Sequence, residues 1–286
     1  MKNVIFTIFV DIPDNKIDNP AGYSEDGQLL TSQKSVITKY SFAKYKDRLI
    51  AAQQAYANLI GADYIVYDGD DAYNKFQTFF AEKYPQISEY DIINFYKHHL
   101  MFQLAKLYDN ICYFDLDIIP NTSDNIFESF NLQTFIVPDS NQEAEWGKNI
   151  ESKYYNTCIR NPATKYWNAH AMLSETGIKP NQNVYNTGIM LASRDVINKL
   201  DYFGKFKQTL DLMTHVKHDK YSMYPKTIQR VFNYDNETVF SYKLASNNVP
   251  VTLLDKLWHF ACSDGRYRED AKFYHVIDKS FSRFFK

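Results

Sequence analysis

The sequence predicts an α/β fold in which a mixed, mostly parallel sheet is flanked by helices. Short apolar runs typical of buried strands alternate along the chain with longer segments of helical spacing. One such run, Ile111 to Pro120, follows a helical segment almost directly and contains two acids, Asp115 and Asp117. A length of 286 residues is enough for a large core. Because no repeat or low-complexity linker divides the chain, we expect a single domain over residues 1–286.

The first elements are a strand, a loop, a helix and a second strand. Val4 to Val10 is too short to span a membrane and lacks a small-residue cleavage site, so it predicts the first buried strand of a cytoplasmic protein. Polar residues with Pro and Gly over 15–31 indicate a loop. Helical spacing follows from Phe42 to Ile60, and Gly61 is its expected C-terminal cap. Tyr64 to Tyr67 is the second predicted strand.

Helical spacing recurs from Phe95 to Tyr108, immediately before the strand that carries the two acids. The second half of the chain is less regular. Its patterns predict strands over residues 134–138, 185–192, 251–253 and 257–262, and helices over residues 163–176, 196–216, 224–233 and 237–244. Strands and helices therefore alternate along the whole chain.

The composition argues against several classes of protein. Lys and Arg number 32 against 34 Asp and Glu, and a formal charge of −2 does not fit a surface dominated by nucleic-acid contacts. The cysteines, Cys112, Cys158 and Cys262, are far apart and form no CxxC pair, so we expect them to be reduced and buried. The phosphate-loop, dinucleotide-binding, zinc-protease and serine-hydrolase motifs are absent from the sequence.

Asp115 and Asp117 are the strongest candidates for chemistry. They lie at the carboxyl end of a predicted buried strand, where open α/β sheets bind ligands. Side chains two positions apart on a strand point the same way, so both carboxylates can converge on one hard divalent cation that in turn holds phosphate oxygens. The alternative is that one or both acids cap a turn or helix near Ser123.

The order of these segments resembles a GT-A fold glycosyltransferase of the DxD-containing, nucleotide-sugar type, with a glycogenin-like layout and a bacterial or phage character. The resemblance extends from about residue 4 to residue 279 and rests on Ala-Gln-Gln-Ala-Tyr-Ala at 52–57, Gly-Ala-Asp-Tyr-Ile at 61–65, Tyr-Phe-Asp-Leu-Asp at 113–117 and Asn-Thr-Gly-Ile-Met-Leu at 186–191. It implies a GT-A (Rossmann-like) sheet, a nucleotide-sugar-binding half over residues 1–120 and an acceptor-side half over residues 121–286.

The resemblance implies that Asp115 and Asp117 hold Mn²⁺ or Mg²⁺ against the diphosphate of a UDP-sugar, whose departure builds negative charge. It also implies a late histidine ligand, for which His275 is the best match and His259 the competitor. An imidazole ligand favours Mn²⁺ over Mg²⁺. Lys279 would be the lysine near the donor phosphates, although it follows His275 by four positions where the family pattern has six.

Further residues match parts of the family's donor site. The resemblance places Lys97 near the donor phosphates or sugar, the alternative being a solvated helix position. Asn186 and Gly188 match the sugar-binding NxG, for which a plain β-bulge is the alternative. Asp235 and Glu237, together with Asn186, are the catalytic candidates. An inverting reaction would use one carboxylate as the base, whereas a retaining reaction would use the acid to position or stabilise; helix capping by Asp235 is the alternative.

The nucleotide base is expected near the ends of the first two strands. In this fold Thr7, Phe9 and Asp11 would cradle the base. Acids after the second strand are expected to reach uracil or ribose, unless they form a solvated turn: Asp68, Asp70 and Asp71.

The acceptor is expected to be a hydroxyl group, most simply on a glycan. A phage-type transfer to hydroxymethylated bases of DNA is kept as an alternative because lysines recur at 205, 207, 217, 220 and 226 and the tail over 266–286 is basic. The near-neutral charge and the helical spacing of the lysines favour a solvated face instead. A metal-dependent nucleotidyltransferase and a non-catalytic sugar-binding protein remain the alternatives of other classes, and the sequence gives no oligomeric state.

Overall fold

The computed structural model describes residues 1–17, 20–23, 28–31, 33–139, 162–180, 183, 185–220, 224, 226–262 and 267–285. Cys158 lies outside the described residues, as do parts of the predicted loop over 15–31 and of the basic tail. Cys112 and Cys262 are buried free thiols, as predicted. Burial raises the pKa of the Cys112 thiol well above its usual value, so this side chain behaves as a small apolar residue.

Among the described residues, six strands form the main sheet in the order β4, β1, β5, β8, β7, β9. These strands are β1 Asn3–Ile8, β4 Asp63–Tyr67, β5 Asn110–Phe114, β7 Phe135–Pro138, β8 Ile189–Ser193 and β9 Val251–Leu254. Strand β8 pairs antiparallel with both β5 and β7, and the remaining pairings are parallel. The predicted mixed, mostly parallel sheet is confirmed.

Two smaller sheets accompany the main one in the ranges that the structure describes. The first contains β6 Ile118–Pro120, β10 Phe260–Cys262 and β11 Phe273–Val276, and the second pairs β2 Pro20–Tyr23 with β3 Leu29–Thr31. Strand β11 runs antiparallel to β6 with His275 opposite Ile118. This register brings the end of the chain to the two acids that follow β5.

Helices cover the sheet. They are α1 Lys34–Leu59, α2 Asp71–Lys83, α3 Glu89–Leu104, α4 Ile126–Ser129, α5 Pro162–Glu175, α6 Arg194–Leu200, α7 Phe206–His218, α8 Lys226–Val231 and α9 Asn236–Ser246. Helix α1 begins at Lys34, before the predicted start at Phe42, and ends at Leu59. Gly61 follows its end as predicted, with a φ of 70° that a residue with a side chain rarely adopts. Asp70, Ser88 and Asp235 cap α2, α3 and α9 with their side chains. In the described part of the chain no helix combines the length and apolar character that a membrane span requires.

Strand β5 lies between two layers of core. Ile111 and Tyr113 pack into the larger apolar cluster, and Cys112 and Phe114 pack into the cluster on the opposite face of the sheet. Side chains on a strand alternate between faces, so a continuous apolar run is the signature of a strand covered on both sides. The backbone that delivers Asp115 is therefore fixed from both faces.

The second half differs from the predicted elements in several places. The strand predicted over 185–192 begins only at Ile189, because residues 186–188 form a turn in which Asn186 Oδ1 accepts a hydrogen bond from Gly188 N at 2.8 Å. The helix predicted over 196–216 is two helices, separated where Asp201 and Lys205 adopt left-handed backbone (φ 43° and 51°). The helix predicted over 224–233 is confined to α8.

Helices α2 and α4 and strand β11 were not predicted. The segment over 15–31, predicted as a loop, contains β2 and β3, because its two halves pair with each other. The run over 111–120, predicted as one strand, is broken at the two acids, which lie between β5 and β6.

Candidate active site

The two acids lie in a turn that connects β5 to β6, at the carboxyl edge of the main sheet. Asp115 N donates to Gly188 O at 2.7 Å, which ties this turn to the approach of β8. Tyr113 Oη donates to Asp115 Oδ1 at 2.6 Å, and Lys97 Nζ lies 3.7 Å from the same oxygen. These contacts hold Oδ1, so Asp115 presents Oδ2 to the neighbouring groups described next.

Asp117 and His275 complete a cluster of ligand atoms. His275 Nε2 lies 3.3 Å from Asp117 Oδ2 and 4.0 Å from Asp115 Oδ2, and one ligand atom from each of the three residues lies within 4.8 Å of the others. Burial alone would raise the pKa of Asp117, but the Lys279 ammonium and the His275 ring hold it well below its usual range. Two carboxylate oxygens and an imidazole nitrogen are a donor set that fits Mn²⁺.

His259 lies behind His275 rather than beside the acids. His259 Nε2 is 2.9 Å from His275 Nδ1, so one ring donates to the other. Burial, and then the charge of His275, lowers the pKa of His259 well below its usual value and keeps its ring neutral. The contact at Nδ1 directs His275 Nε2 toward the carboxylates, as a neighbour of a metal-binding imidazole commonly does. Of the two histidines, the geometry favours His275 as the ligand.

Gly188 lies where these side chains converge. A Cβ atom at this position would be 2.7 Å from His275 Cε1, 2.8 Å from Asn186 Oδ1 and 3.1 Å from Asp115 Oδ2. The residue is therefore required for close approach rather than for an unusual φ. Asn186 has its Oδ1 on Gly188 N, so the predicted NxG is a compact turn against the acids.

Lys97 and Glu237 flank Thr187 on either side. Lys97, in the middle of α3 rather than at its start, is 4% exposed and donates to Thr187 O at 3.2 Å. Glu237 Oε1 accepts from Thr187 N at 2.8 Å and from Thr187 Oγ1 at 3.0 Å, while Oε2 contacts Lys165 Nζ. Burial would raise the pKa of Glu237, but the Lys165 and Lys97 ammonium groups lower it. Glu237 is thus an ionised buried acid beside the turn.

Asp235 has the contacts of a helix cap. Its carboxylate accepts from Thr238 N at 2.8 Å and from Thr238 Oγ1 at 2.6 Å, at the start of α9. Burial raises its pKa, with Lys165 and Thr238 acting in the opposite direction. The next residue, Asn236, donates from Nδ2 to Thr187 Oγ1 at 3.1 Å. The capping alternative is therefore observed for Asp235, and its predicted catalytic role remains a prediction.

A cleft of about 250 Å³ opens beside the acids. Its lining includes residues from the end of β1, from α1, from α3 and from the site itself: Phe9, Asp11, Thr38, Lys39, Phe42, Tyr90, Asn94, Asp115, Asp117, His275 and Lys279. Thr7 is fully buried in β1, and its Oγ1 finds no hydrogen-bond partner among the described residues. Asp68 is exposed after β4, and Asp70 caps α2. Of the predicted base contacts, the structure brings Phe9 and Asp11 to the cleft but not Thr7 or Asp68.

Two residues of the site were not predicted from the sequence. Tyr113 and Lys165 meet their partners, Asp115 and Glu237, through the fold. Tyr113 is two positions before Asp115, so the strand period places it on the same side, a relation that could have been noticed. Lys165 is 72 residues from Glu237, and no local pattern reveals that contact.

No protein-family profile and no curated protein matches the sequence. Solved structures do match the fold. Mouse xyloside xylosyltransferase 1, in its apo form, superposes with a TM-score of 0.50 at 11% identity, over 96% of this chain and 97% of that chain. The chain has a GT-A fold.

Two further structures match this GT-A fold less closely. A glycosyltransferase involved in glycosylation of the major capsid of PBCV-1 has a TM-score of 0.46 at 12% identity, over 99% of this chain and 100% of that chain. The galactosyltransferase LgtC, in complex with donor and acceptor sugar analogs, has a TM-score of 0.46 at 11% identity, over 96% and 86%.

The charges beside the cleft of this GT-A fold alternate in sign over short distances. Lys97 and Lys279 are both largely buried and contact Asp115 and Asp117 respectively. Acids placed beside fixed cations at the carboxyl edge of a sheet can hold a divalent ion and polyanionic oxygens at the same time.

Proposed function

We propose that this protein is a metal-dependent glycosyltransferase that uses a nucleoside-diphosphate sugar, with UDP as the nucleotide, and a hydroxyl acceptor. The observation that carries the proposal is the convergence of Asp115, Asp117 and His275 on one point of a cleft in a GT-A fold. The imidazole favours Mn²⁺ over Mg²⁺, because magnesium prefers oxygen ligands. When bound, the ion would neutralise charge that develops on the departing diphosphate.

The residues around the ligand atoms have distinct parts in this proposal. Lys97 and Lys279 bring two ammonium groups to the region of the phosphates, where fixed cations stabilise developing negative charge. Asn186 and Gly188 form the turn against which the donor sugar lies. We assign Phe9 and Asp11 to the nucleotide base in preference to Thr7 and Asp68, because the first two line the cleft.

Glu237 is the stronger of the two acids proposed for catalysis. Its pKa is lowered and it is held by Thr187, so it is an ionised group of fixed orientation next to the sugar-binding turn. A fixed negative charge there would position the acceptor or stabilise positive charge on the reacting sugar. Asp235 supports this arrangement from the cap of α9, and its own carboxylate is engaged by Thr238.

The acceptor proposed is a glycan hydroxyl. The DNA alternative requires a basic face, but the lysines that suggested it are largely engaged within the protein. Lys207 pairs with Asp211, Lys217 donates to Phe232 O, and Lys226 donates to Gln229 Oε1 at 2.8 Å. These contacts leave a weaker positive face than the sequence alone suggested.

Thermal unfolding with a panel of nucleotides tests the donor and the metal together. Each nucleoside diphosphate and nucleotide sugar is added with Mn²⁺, with Mg²⁺ or with chelator. A donor at about a hundred times its Kd adds about 2.7 kcal/mol to the free energy of unfolding. We expect a uridine nucleotide to raise Tm only with metal, and Asp117→Asn to abolish the shift. Asp124→Asn is the matched control, since Asp124 is exposed and pairs with Lys272 at 2.6 Å. A shift that persists in Asp117→Asn would contradict the site.

Turnover separates the proposed class from its alternatives. A glycosyltransferase releases nucleoside diphosphate from the nucleotide sugar, a nucleotidyltransferase releases pyrophosphate from a nucleoside triphosphate, and a sugar-binding protein releases neither. Release of nucleoside diphosphate, stimulated by a glycan acceptor and lost in Asp117→Asn, is the expected result.

A further inference from the structure

The turn that carries Asp115 and Asp117 needs hydrogen-bond partners for its backbone, because it is largely buried. Two of its carbonyl groups are satisfied by backbone donors: Ile118 N donates to Asp115 O, and Val276 N donates to Asp117 O, both at 3.0 Å. Buried backbone groups are rarely left unpaired. The carbonyl oxygens of Asp115, Leu116 and Ile118 face α1, where they can accept further hydrogen bonds.

Gln53, a fully buried residue of α1, supplies the missing donors. Its Nε2 lies 2.8 Å from Ile118 O, 3.0 Å from Asp115 O and 3.4 Å from Leu116 O. A primary amide has two N–H groups, so the two shorter contacts take one each and the longest is shared. One side chain thus binds the carbonyl oxygens at both ends of the turn, Asp115 O and Ile118 O. We call residues 115–118, which include both acids, the acid turn.

Tyr64 fixes which end of the amide faces the turn. Tyr64 Oη, on β4, donates to Gln53 Oε1 at 3.0 Å. Three carbonyl oxygens on one side and a hydroxyl donor on the other admit only one orientation of the amide. The contact therefore joins β4, α1 and the acid turn in one chain of hydrogen bonds.

We propose that Gln53 is a positioning residue for the divalent ion, oriented by Tyr64. By fixing the backbone between Asp115 and Ile118, it sets the separation of the two carboxylates from each other and from His275. This inference rests on the proposed function, since it assigns a residue to the metal site of that function. Groups that orient metal ligands typically contribute about tenfold to a hundredfold in metal affinity.

The test is the affinity of the folded protein for Mn²⁺, measured by electron paramagnetic resonance of free Mn²⁺ at a temperature well below each variant's Tm. Gln53→Glu keeps size and shape but places a carboxyl group against three carbonyl oxygens. We expect its Kd for Mn²⁺ to rise about tenfold to a hundredfold. Gln54→Glu is the matched control, because Gln54 is the next residue on the same helix and, within the described part of the chain, its side chain donates only to Asn58 Oδ1.

Tyr64→Phe gives a second measurement that does not depend on the folding of Gln53→Glu. It removes only the hydroxyl that orients the amide, so we expect a rise in Kd of about threefold to tenfold. A purely structural role for Gln53 would lower Tm and leave the Kd of the folded variants unchanged, and that result would overturn the inference. If the wild-type protein binds no Mn²⁺, the metal site itself is overturned. If the wild type and both variants bind Mn²⁺ equally well, the metal site stands and only the role of Gln53 is overturned.

Discussion

At the scale of single residues, Gly188 is the position with the least room in the site. Gly188→Ala puts a methyl group 2.7 Å from His275 Cε1 and 3.1 Å from Asp115 Oδ2, so both candidate ligands have to move. A displacement of about 1 Å in a catalytic group commonly costs about a hundredfold in rate. We expect kcat/KM for nucleotide-sugar turnover to fall by about that factor while Tm changes little, as measured by diphosphate release and thermal unfolding.

Gly69→Ala is the control for this substitution. A Cβ atom there would lie 3.6 Å from Val10 Cγ1, an ordinary contact, and the glycine is outside the site. Its activity should match that of the wild type. Equal activity of both alanine variants would mean that the crowding at Gly188 has no part in the reaction.

Whether the role of a single residue can be predicted from the sequence depends on how far along the chain its partners lie. Asp115 and Asp117 are recognisable because they are two positions apart at the end of an apolar run. The sequence does not show why position 188 requires glycine, because the ring that excludes a side chain there belongs to His275, on another strand. Gln53 is hidden for the same reason. A glutamine within a helical pattern is indistinguishable from a solvated one until its carbonyl partners are known.

At the scale of elements, α9 depends on its cap. Asp235→Ala removes the acceptor for Thr238 N and Oγ1, and loss of such a cap costs about 1–2 kcal/mol. Asp235→Asn retains a capping oxygen without the charge, so we expect it to recover most of the lost stability in urea unfolding. If the Asn variant unfolds normally but loses activity, the carboxylate has the catalytic part that the sequence predicted.

Glu237 links α9 to Lys165 of α5 and to the turn before β8. Its pKa is lowered in the folded protein, so its contribution to stability is complete above the ordinary value of 4.5 and is lost as pH falls through the lower folded value. Glu237→Gln keeps an acceptor for Thr187 but lacks that contribution. We expect a loss of about 2 kcal/mol at pH 7 that shrinks below about pH 4.5, measured by urea unfolding at several pH values.

The exposed acid Glu128, changed to Gln, serves as the control for this pH dependence. Its difference from wild type should be small at every pH. A Glu237→Gln difference that stays constant from pH 7 to well below the ordinary pKa of 4.5 would show that the ionised form of Glu237 does not stabilise the fold.

Elements with strong local signals were predicted, and those decided by long-range pairing were not. The buried strand that leads into the two acids, the glycine that follows α1 and the α/β order are confirmed, although the run predicted as one strand over 111–120 is two strands. The antiparallel direction of β8 was not predicted, because an apolar run buried on both faces reads the same in either direction. The break between α6 and α7 was missed because Asp201 and Lys205 adopt a backbone that their residue types seldom use.

At the scale of the whole molecule, the near-neutral charge and the engaged lysines predict weak binding to DNA. A protein that neutralises many phosphates loses about a thousandfold or more in affinity between 50 and 200 mM salt. We expect fluorescence anisotropy with duplex DNA to show affinity that changes less than about tenfold over this range. Lys207→Gln should leave it unchanged, because Lys207 pairs with Asp211 on the same helix. A steep salt slope reduced by this substitution would instead support a DNA acceptor.

The two contacts made by helix α1 limit which changes in its length this chain can accept over evolution. Its first turns line the cleft through Thr38 and Phe42, and Gln53, about 17 Å further along, holds the acid turn. Each residue added or removed between these points rotates everything after it by about 100°. Side chains on the outer surface of the helix can be exchanged one at a time, but its length between Phe42 and Gln53 cannot change by a single residue. Natural variation in this stretch should therefore consist of substitutions, with insertions and deletions confined to other parts of the chain.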